Sequence, residues 1–278
     1  MALVPFPAQQ SGALKVPPDE EDDSSSGSMS FLEHLDELRK RILYSCFGVL
    51  AGVCASFAFI GKIYTFLMTP AVNALPAGSK LIYTQPGEAF SLYIYISLIS
   101  GAVLAAPFIM YQVWLFIAPG LYTNEKKLAI PFVLFSTLGF LGGAAFNHLV
   151  AFPFIMVFFA SFNTPDLTFM PKLSDVFGLY SKMLLGLGVV FQMPAIVFFL
   201  AKMELVTARF LVTRFRYALL IFFVTAAIVT PTGDPVNLMI FTAPMLALYG
   251  VSIVIAWLVT LGGRGRRNVQ SAKPERTQ

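Results

Sequence analysis

VNLMIFTAPMLALYGVSIVIAWLVTL, residues 236–261, runs for 26 positions without a charged side chain. A bilayer hydrocarbon core about 30 Å thick is crossed by about 20 predominantly apolar residues in a helix. The stretch shows no strict two-residue alternation, so it reads as a helix rather than a barrel strand. Comparable apolar runs occupy 42–60, 89–114, 128–160, 174–201 and 214–230. The fifth in chain order, cut off by Pro231, is near the lower limit for a span, and the third is expected to break near Pro153. Composition points the same way: 57% of the residues are hydrophobic, 12% are charged and the mean hydropathy is +0.74. Soluble domains carry about 25% charged residues, so the surplus apolar surface must face lipid. The predicted fold class is an all-α polytopic membrane protein with six transmembrane helices.

Three regions follow. Residues 1–29, with Asp19-Glu20-Glu21-Asp22-Asp23 and the serines up to Ser28, form an acidic, Ser-rich tail that cannot bury apolar surface and is expected to be disordered. That tail lacks a basic segment followed by an apolar core, so no cleavable secretory signal is expected in it. Residues 30–261 make up the membrane domain, and 262–278 a basic tail. Phe31, Leu32, Leu35 and Leu38 recur at helical spacing before the first run, with Ser30 as N-cap and Glu33 completing a capping box. The basic residues set the orientation: with the N-terminus in the cytoplasm, fifteen Lys and Arg lie inside against Lys62, Lys80, Lys172 and Lys182 outside, and both termini are cytoplasmic. The outer segment 61–88, punctuated by Pro70, Pro76 and Pro86, is predicted to hold a short helix lying across the membrane surface, and 161–173 an ordered second loop. Cys46 and Cys54 sit in the first run and read as small apolar packing residues, not as a disulfide or metal site.

Acidic groups are costly in hydrocarbon, so their positions carry information. Glu37 and Glu125 each sit beside basic residues, Arg39-Lys40-Arg41 and Lys126-Lys127. Two readings are open on spacing alone: local ion pairing at the headgroups, or carboxylates that accept guanidinium groups from an extended peptide through two-bond forks. Gln192, mid-span and two residues before Pro194, either bridges helices internally or meets a partner helix. Asn147 and His148 read as packing residues in the outer half of the third span, and Asp234 as the N-cap of the last helix. No paired nucleophile and base, phosphate-binding loop or metal-ligand pair is visible, so neither an enzyme nor a metal site is expected. The alternative is a secondary transporter of a small solute, for which Gln192 and Lys182 are the few midplane candidates; the lack of an internal repeat counts against it.

Several segments taken together resemble one family. Phe31-Leu-Glu-His-Leu-Asp-Glu-Leu-Arg-Lys-Arg41, Leu67-Met-Thr-Pro70, Pro86-Gly-Glu-Ala-Phe90, the long stretch from Ala106 to Lys127, Phe191-Gln-Met-Pro194 and Thr230-Pro-Thr-Gly-Asp234 are similar, in order, to the TatC family, the multispan core of the twin-arginine protein translocase. The resemblance covers about residues 30–261 and implies a concave, glove-like bundle with both termini inside. It implies binding of twin-arginine signal peptides of folded cargo, with Glu37 and Glu125 receiving the two arginines, which favours the functional reading of those carboxylates. Arg39 would match a sensitive position that fixes Glu37 or the tip, and Phe116, Pro119, Leu121 and Tyr122 would shape the loop presenting Glu125. Gln192 would meet single-span partners of the TatA and TatB type, while Pro70, Glu88 and Asp234 would be structural loop residues. Also implied are self-association in the complex, transport driven by the proton-motive force without a cofactor or nucleic acid, and residence in a bacterial cytoplasmic (inner) membrane. The chain departs from the family at Gln192, where Glu is frequent, at Tyr95, where Lys is frequent, and at Gly250, where an acidic residue is common.

Overall fold

The structure is a computed structural model that describes residues 31–76, 79–117, 129–230 and 234–271. The N-terminal tail, the loop residues Pro119, Leu121, Tyr122 and Glu125, and the Pro231-Thr232-Gly233 turn lie outside the described residues. Secondary structure among the described residues is helical, with two isolated β-bridges in the loops. Eleven helices follow in order: α1 Phe31–Ala58, α2 Ile60–Ala74, α3 Glu88–Leu104, α4 Ala106–Ile117, α5 Ala129–Phe146, α6 Phe152–Ala160, α7 Leu173–Val190, α8 Met193–Lys202, α9 Ala208–Thr213, α10 Phe215–Val229 and α11 Pro235–Ser271.

Four stretches are long and apolar enough to cross a membrane: Leu32–Ala58, Ile130–Ala160, Leu173–Lys202 and Pro235–Thr260. A fifth forms from α3 and α4, joined at a 55° bend. The bend follows from Pro107, which has no N–H to give to the turn before it. The helix at the fifth expected position in chain order, α10, has 15 residues. That is about 22 Å of rise, short of a 30 Å core, as Pro231 led us to expect. Its outer face carries Leu220, Ile221, Val224 and Ile228, all more than half exposed, as lipid-facing side chains are.

Several expectations change in detail. The amphipathic segment and the first apolar run are one continuous helix, α1, because nothing between Arg41 and Ile42 interrupts the hydrogen-bond ladder. Cys46 and Cys54 are exposed on α1 instead of packed, since the packed face of that helix runs through Gly48, Gly52 and Ser56. Pro153 does not break the third span; the chain widens into a π-turn, Asn147–Ala151, just before it and continues. That turn takes up the ring that an α-helical register would drive into a carbonyl. Pro70 lies inside α2 rather than in a loop. The last helix runs ten residues beyond 261, so most of the basic tail continues α11.

Two backbone-to-backbone crossings organise the bundle. A Cβ on Gly52 would lie 2.4 Å from the Gly101 carbonyl oxygen, and one on Gly101 would lie 2.5 Å from the Val53 nitrogen. Likewise a Cβ on Gly139 would meet the Phe191 oxygen at 2.8 Å and one on Gly143 the Leu187 oxygen at 2.9 Å. Glycines spaced four apart let helices approach this closely in lipid, where packing and not water expulsion drives association. The main core surrounds α7, with Phe177, Tyr180, Met183 and Leu187 against Met68 and Ala71 of α2 and Phe152 and Ile155 of α6.

The loops that precede α3 and α7 are tied by Glu88, the first residue of α3. Its Oε2 accepts from the Thr84 and Gln85 amides at 3.0 and 3.4 Å, and its Oε1 accepts from the Ser174 amide in the first turn of α7 at 3.2 Å. Lys172 Nζ stands 3.6 Å away. The neighbouring bridge, in which Leu173 donates to the Ile82 carbonyl at 2.8 Å and Ile82 to the Pro171 carbonyl at 3.2 Å, joins the two loops in parallel. Asp234 caps α11 as expected, accepting from the Asn237 amide at 2.9 Å.

Gly101→Val should cost about 1–3 kcal/mol, because the added atoms meet backbone that has no rotamer to move. Gly250, with nothing within 4 Å of its would-be Cβ, should accept Ala with no loss or a small gain. Thermal unfolding of both variants in one detergent checks the contrast. Glu88→Gln should speed amide hydrogen exchange at Thr84, Gln85 and Ser174 together while leaving α11 protected.

Candidate functional site

Arg39, Lys40 and Arg41 of α1 share one end of the bundle with Lys202, Arg209, Arg214 and Arg216; Lys62, Lys80 and Lys172 gather at the other, around the Glu88 clamp. At the basic end α1 runs antiparallel to α4, and three contacts fix the pair. His34 stacks on Phe116 with ring centroids 4.4 Å apart. Arg41 Nη1 donates to Gln112 Oε1 at 3.3 Å. Gly48 lies under the Phe108 ring, which a Cβ there would strike at 2.4 Å. Steps of seven residues on α1 therefore match steps of four on α4, which keeps one face of each helix against the other.

Glu37 sits within this frame. Arg41 Nε donates to its Oε1 at 2.7 Å, and the guanidinium pairs with the same oxygen through Nη2. The partner of Glu37 is thus Arg41, one turn on, and not Arg39, which is exposed. A four-residue separation puts both side chains on one helix face, which a two-residue one does not. Both contacts fall on Oε1, so Oε2 has no partner among the described residues. Side-chain exposures of 19% for Glu37 and 21% for Arg41 describe a pair partly withdrawn from solvent yet open on one side.

The segment that carries Glu125 leaves α4 just past Phe116 and returns at α5. Its two flanks are held together: Trp114, Phe132 and Phe199 form an aromatic cluster with centroids 5.1, 5.9 and 6.1 Å apart. Inward of Arg41 and Gln112, the helices α1, α3 and α4 border an apolar groove of about 590 Å³ lined by Ile42, Val49, Leu98 and Val113.

Of the residues singled out from the sequence, Glu37 and Phe116 meet at this end. Gln192 lies elsewhere, at the joint between α7 and α8, where its Nε2 donates to the Ser136 carbonyl of α5 at 3.0 Å. It is half-buried and bridges two helices of its own chain. Pro70, Glu88 and Asp234 belong to the opposite end. His34, Arg41, Gln112 and Trp114 were not singled out; the Phe108, Gln112, Phe116 spacing on an otherwise apolar helix was the available signal. No cluster of metal-ligating side chains occurs among the described residues.

A helical bundle with membrane-length apolar spans, a charged-residue frame at one end and a strapped loop cap at the other defines a polytopic membrane protein. Comparison with known proteins makes that specific. The profile of the family described as "Sec-independent protein translocase protein (TatC)" matches residues 33–244. A Sec-independent protein translocase protein TatC from Koribacter versatilis is 42% identical over 249 residues, covering 88% of this chain and 92% of that one. The TatC protein of Desulforapulum autotrophicum is 38% identical over 224 residues, covering 81% and 83%. A crystal structure of the twin-arginine translocase receptor TatC superposes with a TM-score of 0.72 at 32% identity, covering 82% of this chain and 99% of that one. The chain belongs to the TatC family: it is a multispan component of the twin-arginine protein translocase and not an enzyme.

Gln192→Leu should cost about 1 kcal/mol, the net value of one interhelical hydrogen bond. Ser136→Ala should be close to neutral, because the acceptor is the backbone carbonyl. Paired thermal melts check this, and a large loss in Ser136→Ala would contradict the assignment.

Proposed function

We propose that this chain is the signal-recognition subunit of its translocase, binding twin-arginine signal peptides of folded cargo at a cytoplasmic face. The observation that carries the proposal is the half-used Glu37 carboxylate. Arg41 occupies one oxygen, Gln112 holds Arg41 from behind, and the second oxygen is left to take a guanidinium from the peptide. A carboxylate whose rotamer is already fixed loses little freedom on binding, and planar guanidinium matches its geometry. Glu125 supplies the second carboxylate, presented by a loop that Phe116, Pro119, Leu121 and Tyr122 shape. Arg39, exposed beside the site, steers the peptide backbone or the loop tip. The pinning of both flanks of that loop by Trp114 and Phe132 supports a common location for the two acids.

In this reading the basic end faces the cytoplasm with both termini, in a bacterial inner membrane, and the Glu88 clamp faces outward. Fifteen of nineteen basic residues on one side support that orientation. Single-span partners of the TatA and TatB type dock within the membrane, and copies of this chain associate in the complex. Gln192 contributes to docking by holding the α5–α7 joint in shape. The proton-motive force drives transport.

Replacing both Glu37 and Glu125 by Ala should abolish photocrosslinking of a twin-arginine signal peptide to this face, with each single change weakening it. Unchanged crosslinking in the double variant would reject the site. A signal with Lys for Arg should bind about tenfold or more weakly than charge counting allows, since ammonium cannot form the fork. Equal affinity of Arg and Lys signals would remove the bidentate picture.

A further inference from the structure

A second cavity, of about 360 Å³, opens between α2, α3, α5 with its π-turn, and α7, away from the site described above. Its walls are apolar except at one end, where His148 and Tyr180 meet: Nδ1 and the phenol oxygen are 3.3 Å apart. His148 Nε2 has no partner among the described residues, and in the tautomer in which the Tyr180 hydroxyl donates to Nδ1 it carries the proton and is free to donate. The Ser100 hydroxyl also lines the cavity but is turned back to its own helix, donating to the Ile96 carbonyl at 2.5 Å. His148 owes its position to the π-turn, and its ring is held flat against Phe66 of α2 with centroids 4.1 Å apart. The cavity therefore has a rigidly mounted imidazole at one end and apolar walls elsewhere.

Depth follows from helix length. The span beginning at Ile130 has 31 residues, or about 46 Å of rise, while about 20 residues suffice to cross the hydrocarbon core. Counting about 20 residues from just after Lys126-Lys127 reaches the region of Val150, which puts His148 in the outer half of the third span, toward the acyl-ester level. One turn deeper on each wall come Ala144 and Leu184, and Leu104 of α3. The mouth is rimmed by Phe66, Leu104 and Leu149, which are 60, 60 and 71% exposed. Apolar residues this exposed on a membrane helix face lipid, so the opening gives onto the bilayer.

We propose that this cavity binds one acyl chain of an outer-leaflet glycerophospholipid, with the ester carbonyl accepting a hydrogen bond from His148 Nε2 and the chain descending past Ala144 and Leu184. A volume of this size lies within the range of small-molecule sites, and the polarity runs from one donor to pure hydrocarbon, as along the lipid itself. By filling the gap behind α2, the chain ties that surface helix to α3 and α7.

The full chain is reconstituted in phosphatidylcholine vesicles doped with a phosphatidylcholine that carries a diazirine on the carbonyl-proximal part of one acyl chain. After irradiation, adducts are mapped by peptide mass spectrometry. Adducts per residue on His148, Tyr180 and Leu184 should exceed those on Leu220 and Ile221, which face open lipid, by about fivefold or more, the scale of one hydrogen bond. His148→Phe, which keeps the ring stack and removes the donor, and Ala145→Phe, which narrows the cavity, should each bring the two sets level. Equal labelling of cavity and α10 in the unmodified protein overturns the proposal without reference to any variant. So does enrichment that both variants leave intact, or enrichment with a diazirine fatty acid but not with the phospholipid probe.

Discussion

Where α1 crosses α3 there is no side chain between the two backbones at Gly52 and Gly101, and the geometry of the whole basic end depends on that contact. Helix α1 is largely exposed along its length and buries few large side chains of its own. In lipid it gains nothing from expelling water, so dispersion at close range and weak Cα–H···O contacts must hold it. Once the crossing is set, α4 cannot continue α3 in a straight line and still cover α1. The 55° bend before Pro107 turns it over the other half of α1, and Phe108, Gln112 and Phe116 then fall onto Gly48, Arg41 and His34. Glu37 acquires its fixed rotamer at the end of that chain of contacts.

Three irregular points of the bundle are places where a proline removes a ladder bond. Pro107 produces the bend, Pro153 the π-turn and Pro194 the α7–α8 joint. Each leaves backbone or side-chain groups in hydrocarbon that need local partners. At the joint, the Gln192 amide reaches across to the Ser136 carbonyl. A carboxylate in that place could make the same bond only with a proton on it, so the amide gives this chain a bond that does not depend on protonation. The amide at this position therefore holds the helix contact without carrying a charge.

Helical class, the shortness of the fifth apolar helix, a short helix within 61–88, the ordered 161–173 loop and the Asp234 cap were legible because each depends on local rules: apolar run length, Pro placement and capping chemistry. Glu37 was legible by position but not by partner. Distinguishing Arg41 from Arg39 needs only the helical period, whereas finding Gln112 behind Arg41 needs the crossing angle of two helices about 70 residues apart. The clamp role of Glu88 was hidden for the same reason, since Ser174 and Lys172 reach it from another loop. Cys46 and Cys54 were misread because apolar positions on a membrane helix need not face inward: lipid accepts them as readily as a core does.

The two ends of the molecule solve opposite problems with the same functional group. At the loop end, Glu88 spends both oxygens on three backbone amides and has a lysine beside it, so nothing in its coordination is left for a ligand; its work is to hold two loops and the start of α7 in register. At the basic end, Glu37 spends one oxygen on one arginine and keeps the other. A carboxylate that is saturated serves as structure, whereas one that is fixed but unsaturated is already oriented for a further cationic partner, because the cost of orienting it has been met. That difference in saturation, more than burial or net charge, separates the two acids that lie at opposite ends of the same bundle.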